Sequence, residues 1–482
     1  MSFEPIERAA QLAEEMSGAR FGDARLSKRQ SKLVAKIATA PEKSFPTLFS
    51  EAELEAAYRF FGNESVTPNA ILAPHVDATL ERIADFPVVL AIHDTTTLSF
   101  RPDGKRVGLG RLRKSGQAFF AHFTLAVNGD GSRCPLGVLD MSTFVRANKS
   151  KSKSKSKSKS KSKNERDRWG EQITRVEDLD VTSRALVHVM DREGDDYGLF
   201  ALMLENQYRF VGRLMHNRLL DADASDGAEK LEHALAKIQY VTTREVALSS
   251  RSAGLRSPVQ KRIHPPRDRR IAKLAIGATR VTLQRPTSQP HEQPATLTLH
   301  VVRIWELETP EGESPVEWVL VTSEPIDTEA QLLQIVDWYR ARWTIEEFFK
   351  ALKTGCAYEE RQIEDLHGLT NVLALFAPIA WHLLLLRSLA RDEPDQPATV
   401  VLTPNQLTVL RAFARKPLPK KPTVRDAYLA IAQLGGHIKH NGAPGWQTLG
   451  RGYEKLAMFV EGWRAASAAD GQDRSCGICD QS

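Results

Sequence analysis

The sequence contains few cysteines and no pattern that would make them a disulfide framework. Four cysteines are spread over 482 residues, and Cys476 and Cys479 form the one CxxC pair. That pair has no second CxxC and no histidine partner, so we do not expect a zinc site there. A small disulfide-stapled protein is excluded on the same ground, and the end of the chain is predicted to be an unstructured polar tail.

The sequence also lacks a recognisable membrane or export segment. No apolar run approaches the roughly 18 residues of a spanning helix. The N-terminal segment MSFEPIERAAQLAEEM is acidic and amphipathic, whereas a signal peptide would begin basic and then turn apolar. These absences favour a cytoplasmic protein.

The positive net charge of the chain comes entirely from one Lys-Ser repeat. The net charge is +6, but eight lysines alternate with serine between residues 149 and 163, and without them the charge is −2. Whole-chain basicity is therefore weak evidence for a nucleic-acid partner. Because the tract cannot bury apolar surface, we expect an extended mobile loop, either a neutral expansion or a non-specific attractor of phosphate.

Length and composition predict a soluble protein of several domains. The hydrophobic fraction is 41% and the charged fraction 26%, and 482 residues exceed what one core usually serves. Residues 1–70 read as helical and carry Arg25, Lys28 and Arg29 on one helix face, which is either solvated or a DNA contact. Residues 71–375 read as mixed α/β, and residues 376–482 as helical.

A β-rich insertion is predicted within the central domain, from about residue 215 to 317. Strand-like runs occur at 279–283 and 296–304. Between Arg244 and Arg285 the chain has eleven Lys or Arg against two acids. This local charge supports a phosphate-binding surface better than the charge of the whole chain does.

Two short apolar runs that end in an aspartate are the first pointers to chemistry. Residues 88–92 predict a buried strand with Asp94 at its C-terminal edge, and residues 185–190 predict another that ends at Asp191. Open α/β sheets place their active-site crevices at the carboxyl ends of strands. Both aspartates are therefore candidate site residues.

One long helix is predicted from residue 327 to Gly355, opened by a capping box of Thr328 and Gln331. Its polar residues recur with a period that places them on one stripe. The other faces are apolar, so little of this helix can face bulk water. The stripe contains Tyr339, Arg342, Glu346 and Lys353, and the apolar faces contain Ile335, Trp338, Trp343, Ile345, Phe348, Phe349 and Leu352.

Burying the charged side chains of such a stripe costs several kcal/mol of desolvation free energy for each ion, and favourable interactions must offset this cost. An internal salt-bridge network is one solution, and a phosphate with a divalent metal is another. Asp94, Asp191 and Glu346 would suit two Mg²⁺ ions, one activating the attacking oxygen of a phosphodiester reaction and one stabilising the leaving oxygen. Glu347 is a rival third acid, but it lies about 100° around the helix from the stripe.

These residues together resemble a known family, the Asp-Asp-Glu transposases of bacterial insertion sequences. The likeness is to the group marked by Tyr-x₂-Arg-x₃-Glu-x₆-Lys, which includes the transposase of transposon five. The signature is complete here, and the segments AIHDTTTLSF, DREGD, EAAYRFFGN, PVEWVLVTSEP and AYLAIAQLGG extend the likeness over nearly the whole chain.

The resemblance implies a fold, a cofactor and roles for particular residues. The expected fold is a ribonuclease-H-like mixed sheet with a β-rich insertion, flanked by an N-terminal and a C-terminal helical domain. Asp94, Asp191 and Glu346 would be the metal ligands for two Mg²⁺ ions, which Mn²⁺ can replace. Tyr339, Arg342 and Lys353 would contact DNA phosphates, and Trp318 would either stack on a displaced base or be a core residue.

The resemblance also implies a reaction and its partners. Water would cleave the DNA strand, the freed 3′-hydroxyl would form a hairpin with the opposite strand, and after reopening it would join target DNA. The N-terminal segment, with Arg25, Lys28 and Arg29, would read the element's end. The C-terminal helices would form a synaptic homodimer, for which an amphipathic stripe from Trp446 to Trp463 is suited, although the stripe could equally pack on the chain itself.

Two features depart from the family pattern, and neither involves a proposed ligand. The Lys-Ser tract has no counterpart, and Gly194 stands where the family usually has alanine. Our first hypothesis is an active cut-and-paste transposase. The alternatives are a non-catalytic DNA-binding inhibitor of transposition and a metal-dependent nuclease without strand transfer.

Overall fold

The computed structural model describes most of the chain in two compact units. The described residues are 12–101, 106–112, 116–146, 165–179, 186–221, 229–248, 250, 266–438 and 442–475. Unit 1 comprises 1–158, 180–182 and 343–482, and unit 2 comprises 159–179 and 183–342. The predictions for the Lys-Ser tract and for the Cys476–Cys479 tail lie outside the described residues.

Unit 1 begins with a group of helices, as predicted for the N-terminal region. The Asp23 side chain caps the second helix by accepting from the Arg25 amide, and Ser50 with Glu53 forms a capping box on the fourth. The helices are α1 (Leu12–Glu15), α2 (Ala24–Ile37), α3 (Phe45–Leu48), α4 (Glu51–Phe61) and α5 (Pro68–Ile83).

The strands of unit 1 form an antiparallel sheet around β3. They are β1 (Val89–Phe100), β2 (Gly110–Leu112), β3 (Gly116–Asn128) and β4 (Pro135–Phe144). β1 pairs with one edge of β3, while β2 and β4 both pair with β3. A turn at residues 128–131 joins β3 to β4, and within it the Asp130 amide donates to Asn128 Oδ1 at 3.1 Å.

One feature of β1 differs from the prediction. Asp94 lies in the middle of the strand rather than at its C-terminal edge, because Thr95, Thr96 and Thr97 continue the pairing with β3. β-branched threonines fit the pleated surface of a sheet, so the polar cluster extends the strand instead of ending it.

The strands of unit 2 form one paired series with mostly antiparallel neighbours. Its order is β5-β6-β10-β9-β8-β7, and β5 and β6 are parallel. The strands β7, β8 and β9 lie within the segment predicted as a β-rich insertion. The elements are α6 (Glu165–Glu177), β5 (Leu186–Met190), α7 (Tyr197–Glu205), β6 (Phe210–Arg213), α8 (Leu231–Ala236), β7 (Thr242–Leu248), β8 (Arg270–Gln284), β9 (Thr296–Glu306), β10 (Glu317–Thr322) and α9 (Glu329–Ala341).

The core of unit 2 is apolar and lies where α6 and α7 pack on the sheet. Phe200 and Phe210 stack with ring centroids 5.7 Å apart at its centre. Met190, the last residue of β5, is fully buried in the same cluster. The strand that ends at Asp191 is therefore fixed by hydrophobic packing.

The long helix predicted through residue 355 is interrupted, although its capping box at Thr328 is present. α9 ends at Ala341, α10 (Trp343–Lys350) follows, and Ala351–Gly355 is a π-helix. The Arg342 amide donates to the Tyr339 carbonyl, three residues back, at 3.1 Å. The single 3.6-residue stripe is therefore wrong as a description of this segment, because the helical phase changes at Arg342 and again after Lys350.

The C-terminal part of unit 1 is helical, as predicted. One helix corrects the expectation that no apolar run is long enough to span a membrane: it has a mean hydropathy of 1.9 over 18 residues, and that window is entirely buried. Its burial is that of a core helix. The helices are α11 (Leu366–Asp392), α12 (Pro404–Phe413), α13 (Val424–Leu434) and α14 (Trp446–Ser475).

Most of the amphipathic stripe on α14 packs against the chain itself. Its first five members, Trp446, Leu449, Tyr453, Leu456 and Val460, are at most 7% exposed. The Tyr453 hydroxyl also lies 2.8 Å from His382 Nε2 of α11. Trp463, the sixth member, is 48% exposed.

Candidate active site

Asp94 stands half-buried on β1 with its carboxylate oriented by the backbone. The Thr95 amide donates to Asp94 Oδ1 at 2.8 Å. Across the ladder Asp94 is paired with Phe123 of β3, so both side chains point to the same face of the sheet.

Glu346 lies over that same face of the unit 1 sheet. The Phe123 ring contacts the rings of Phe348 and Phe349 on α10, with centroids 5.2 and 5.9 Å apart. Glu346 is on α10, one helical turn before Phe349, and is half-buried. This hydrophobic contact therefore holds α10, which carries Glu346, against the sheet face on which Asp94 lies.

Asp191 follows β5 directly, as the sequence predicted. It caps the short 3₁₀-helix Arg192–Gly194, and its Oδ1 accepts from the Glu193 amide at 2.8 Å. The side chain is half-buried. A carboxylate at this position can still take a further ligand, because one amide bond leaves most of its acceptor capacity open.

The donor chemistry of these acids fits a hard divalent cation. Three carboxylates offer only oxygen, which Mg²⁺ prefers, and two of them, Asp94 and Glu346, share a sheet face within unit 1. Asp191 belongs to unit 2. Among the residues that the structure describes, no three His, Cys, Asp or Glu side chains form a group ready to hold a metal ion.

Tyr339 and Trp318, both predicted to contact DNA, pack against each other in unit 2. Their ring centroids are 5.9 Å apart in an edge-on arrangement. Tyr339 is 4% exposed, whereas Trp318 on β10 is half-buried. Tyr339 also shares a hydrogen bond with Arg213, the last residue of β6.

Arg213 is a further candidate site residue, which sequence reasoning missed. Burial lowers the pKa of Arg213, Tyr339 acts in the opposite direction, and the nearby charges of Arg192 and Arg342 lower it further. Three guanidinium groups thus lie near one another in unit 2, and Arg342, which was predicted, is 8% exposed. A signal did exist, because Arg213 ends the apolar run FVG as Asp191 ends its own strand.

Lys353, predicted to contact phosphate, is bonded to the strand that carries Asp94. Its Nζ donates to the Thr97 carbonyl at 2.7 Å. Burial lowers the pKa of Lys353, and Glu359 acts in the opposite direction. Thr97 is three residues beyond Asp94, about 10 Å along the strand, so the ammonium lies near the proposed site.

Trp343 contradicts its predicted place on an apolar face. Its side chain is 57% exposed, whereas Trp338 is 3% exposed. Trp343 precedes Glu346 by three residues on α10, so the two share one side of the helix. The exposure of Trp343 could not be inferred from the periodicity, because the helix is interrupted just before this residue.

The basic residues predicted on the N-terminal segment lie on the outer side of α2. Lys28 is exposed and Arg29 half-buried, and the Arg25 side chain is 91% exposed and pairs with Asp23 at 2.9 Å. The opposite side of α2 buries apolar residues. A cavity of about 330 Å³ separates α2 from α4 and is lined by Asp23, Arg25, Leu26, Arg29, Ala56, Arg59, Phe60 and Asn63.

Comparison with known families gives three consecutive matches. Residues 8–66 match a transposase DNA-binding family, residues 142–377 match the transposase DDE domain, and residues 378–471 match the dimerisation domain of Tn5 transposase. Asp191 and Glu346 lie inside the DDE match, while Asp94 precedes it. The resemblance drawn from the motifs is confirmed by these matches.

The chain is also similar to a solved structure, the piggyBac transposase in a synaptic complex with hairpin DNA. The likeness has a TM-score of 0.37 and 9% sequence identity. It covers 81% of this chain and 76% of the other.

Proposed function

The chain belongs to the Tn5-like DDE transposases, and from that premise we propose that Asp94, Asp191 and Glu346 form its catalytic centre for DNA cleavage and strand transfer. The observation that carries the proposal is the packing of Phe348 and Phe349 on Phe123, which holds Glu346 over the sheet face of Asp94. Asp191 adds an acid at the end of a buried strand in the DDE-matched segment.

The cofactor we propose is a pair of Mg²⁺ ions held by these three carboxylates, with Mn²⁺ as a substitute. When bound, two such ions supply an activated water and stabilise the leaving oxygen of an in-line displacement. The protein's own part is to hold half-buried oxygen donors on rigid elements. A strand, a strand end and a helix each restrict one side chain, which reduces the reorganisation needed at reaction.

Cationic side chains would hold the DNA backbone beside this centre. Arg213 and Arg342 present guanidinium groups, and Tyr339 presents a hydroxyl that already bonds to Arg213. A phosphate would relieve the mutual repulsion of neighbouring guanidinium groups and accept several charge-assisted hydrogen bonds. Lys353 would add an ammonium next to the strand of Asp94.

Two tryptophans would contact bases near the cleaved strand. Trp343 presents an exposed indole on the Glu346 side of α10. Trp318 is half-buried against Tyr339, and we propose that its accessible part stacks on a displaced base. Stacking of a base on an indole tolerates any sequence, because each base has a π-face.

Recognition of the transposon ends and assembly of a synaptic homodimer would belong to the two helical regions. The N-terminal helices, which match a transposase DNA-binding family, offer Arg25, Lys28 and Arg29 to the phosphates of the end. The C-terminal helices match a dimerisation domain. Target DNA would enter the same catalytic centre after cleavage.

The experiment that tests this function combines purified protein, Mg²⁺ and DNA that bears the element's own ends. Nicking followed by joined products supports transposition. Binding without nicking would instead support an inhibitor, and nicking without joining would support a nuclease.

Alanine in place of Asp94, Asp191 or Glu346 is expected to lower the nicking rate by about 10³-fold or more, while binding of end DNA stays intact. Glu347→Ala is the matched control, because Glu347 neighbours Glu346 but bonds to Lys350 at 2.5 Å. Gel-shift and nicking assays on the four variants decide the point. Retained cleavage in any of the first three removes that residue from the centre.

A further inference from the structure

Asp195 is a buried carboxylate close to Asp191 that has no part in the proposed chemistry. It is 6% exposed. Its Oδ2 accepts from the amides of Met215 and His216 at 2.6 and 2.8 Å, and its Oδ1 accepts from Arg218 Nη2. Both oxygens are therefore occupied by protein donors, and the charge is neutralised by a guanidinium.

These bonds connect two loops at one edge of the unit 2 sheet. β5 and β6 are parallel, so their carboxyl ends lie at the same edge. Asp191 follows β5, and the segment 214–218 follows β6. Asp195 joins the first loop to the second.

The loop that carries Asp191 is tight and is held at both ends. The Gly194 amide donates to the Asp191 carbonyl at 3.2 Å, and the Asp195 amide donates to the Arg192 carbonyl at 3.3 Å. A Cβ placed on Gly194 would lie 2.9 Å from the Cβ of Met190, so the turn is pressed against the end of β5. Asp195 supplies the second anchor, because its side chain leaves the turn for the neighbouring loop.

The partner loop is itself attached to the start of the β-rich insertion. Asn217 Oδ1 accepts from the Glu232 amide at 3.1 Å, and the Leu231 amide donates to the Arg218 carbonyl at 2.9 Å. The Asp195–Arg218 pair consequently links the turn of Asp191 to α8 through a continuous set of hydrogen bonds.

We propose that Asp195 is a positioning residue for the catalytic centre, which fixes the direction of the Asp191 carboxylate by pinning its turn to residues 215–218. This inference rests on the proposed role of Asp191. Asp195 does not ligate metal itself, because amides and Arg218 already occupy its oxygens. Its removal would leave Asp191 present but less well aimed.

The test is Asp195→Asn, which keeps the size of the side chain and removes its charge. We expect the Mg²⁺ concentration for half-maximal nicking to rise and the maximal rate to fall, together by about 10–100-fold, as for other groups that orient metal ligands. Binding of end DNA without metal should stay within about twofold of the parent protein, because Asp195 is buried and belongs to unit 2, whereas Arg25, Lys28 and Arg29 belong to unit 1.

Asp196→Asn is the matched control at the next position. Asp196 is 9% exposed and accepts from the Leu199 amide at 3.1 Å, which caps α7, and from Gln289 Nε2 at 3.1 Å. These two bonds lead to α7 and to Gln289, outside the 215–218 loop. We expect Asp196→Asn to lower the thermal stability while leaving the Mg²⁺ requirement unchanged. An equal rise in the Mg²⁺ requirement for both variants would show general destabilisation and overturn the proposal.

Hydrogen exchange gives a second readout that does not depend on activity. The Met215, His216 and Gly194 amides should be protected in the parent protein, exchange faster in Asp195→Asn, and stay protected in Asp196→Asn. Unchanged protection in Asp195→Asn would overturn the inference whether or not the protein nicks DNA. Absence of nicking by the parent protein, with the exchange result as expected, would count against the catalytic centre instead.

Arg218→Lys covers the case in which Asp195→Asn does not fold. Lysine keeps the positive charge but loses the Nη2 fork that bonds to Asp195. We expect the same two effects in a weaker form, because the amides of Met215 and His216 still hold Asp195. Kinetics and exchange rates identical to those of the parent protein would contradict the positioning role.

Discussion

The three proposed acids are presented by three different kinds of backbone. Asp94 is held in mid-strand, where an adjacent amide fixes one oxygen, and Asp191 caps a short turn at a strand end. Glu346 is in the first turn of α10.

We expect Trp343→Ala to weaken the interaction with DNA and Trp338→Ala to weaken the folding of the protein. The exposed Trp343 contributes little to folding, so its removal should cost about 1–3 kcal/mol of DNA interaction, seen as slower nicking, with unchanged stability. The buried Trp338 should lose about 3–5 kcal/mol of folding free energy. Urea denaturation and nicking assays on the two variants separate these effects, and normal nicking by Trp343→Ala would remove that residue from the DNA contact.

For individual residues, the sequence predicted which side chains are candidates for the site better than it predicted the contacts around them. The acids and Tyr339 were identifiable because short motifs carry their order and spacing. Arg213 was missed because its hydrogen bond to Tyr339 joins residues 126 positions apart. A contact of that separation depends on the pairing of β6 with β10, which no local pattern encodes.

Helices and strands could be predicted where the apolar residues follow one constant period along the whole element. They could not be predicted where that period changes within the element. The strands β5, β8 and β9 agree with the runs predicted for them, and the capping box of α9 was readable from Thr328 and Gln331. The interruption at Arg342 and the π-helix that follows Lys350 were not, because a 3.6-residue template assumes one continuous hydrogen-bond pattern. The exposure of Trp343 is a consequence of that interruption.

The contact between α13 and α14 offers a prediction at the scale of elements. A Cβ on Gly435 would meet the Thr448 carbonyl oxygen, and a Cβ on Gly452 would meet the Ile431 carbonyl oxygen. We expect Gly452→Ala to destabilise unit 1 by about 1–3 kcal/mol or more, because backbone cannot yield as a side chain does.

Gly462→Ala, on the same helix, has the opposite expected sign. Nothing lies within 4 Å of a Cβ built there, so alanine should stabilise the helix by about 0.5–1 kcal/mol. The urea midpoints of the two variants make the measurement. If both variants lost stability, the destabilisation would come from changing a glycine anywhere on α14. It would then not be evidence for the close approach of α14 to α13.

For the whole molecule, the sequence predicted the mixed α/β class with helical ends but not its division into units. Unit 1 combines the first part of the chain with the last, and the boundary at Arg342 and Trp343 falls within the predicted long helix. Hydrophobicity patterns describe neighbours along the chain. They cannot tell that α11 packs on α5 and β4, because β4 ends 222 positions before α11 begins (366 − 144).

Assembly of two copies gives the last prediction, which concerns an aromatic strip formed by Phe413, Phe459 and Trp463. The rings of Phe413 and Phe459 stack at 4.0 Å, and Trp463 follows Phe459 by four residues, on the same side of α14. Phe413 and Trp463 are 45% and 48% exposed. Because aromatic anchors dominate interfaces, we expect Phe413→Glu with Trp463→Glu to weaken dimer formation by about 2 kcal/mol or more.

Sedimentation velocity with end DNA measures this effect, and thermal denaturation checks that the doubly substituted protein is folded. Ile271→Glu is the control, since Ile271 is 68% exposed but belongs to unit 2. A folded double variant that dimerises normally would assign the interface to another surface of the C-terminal helices. Loss of the dimer together with loss of strand joining, but with retained end binding, would tie the joining step to the paired state.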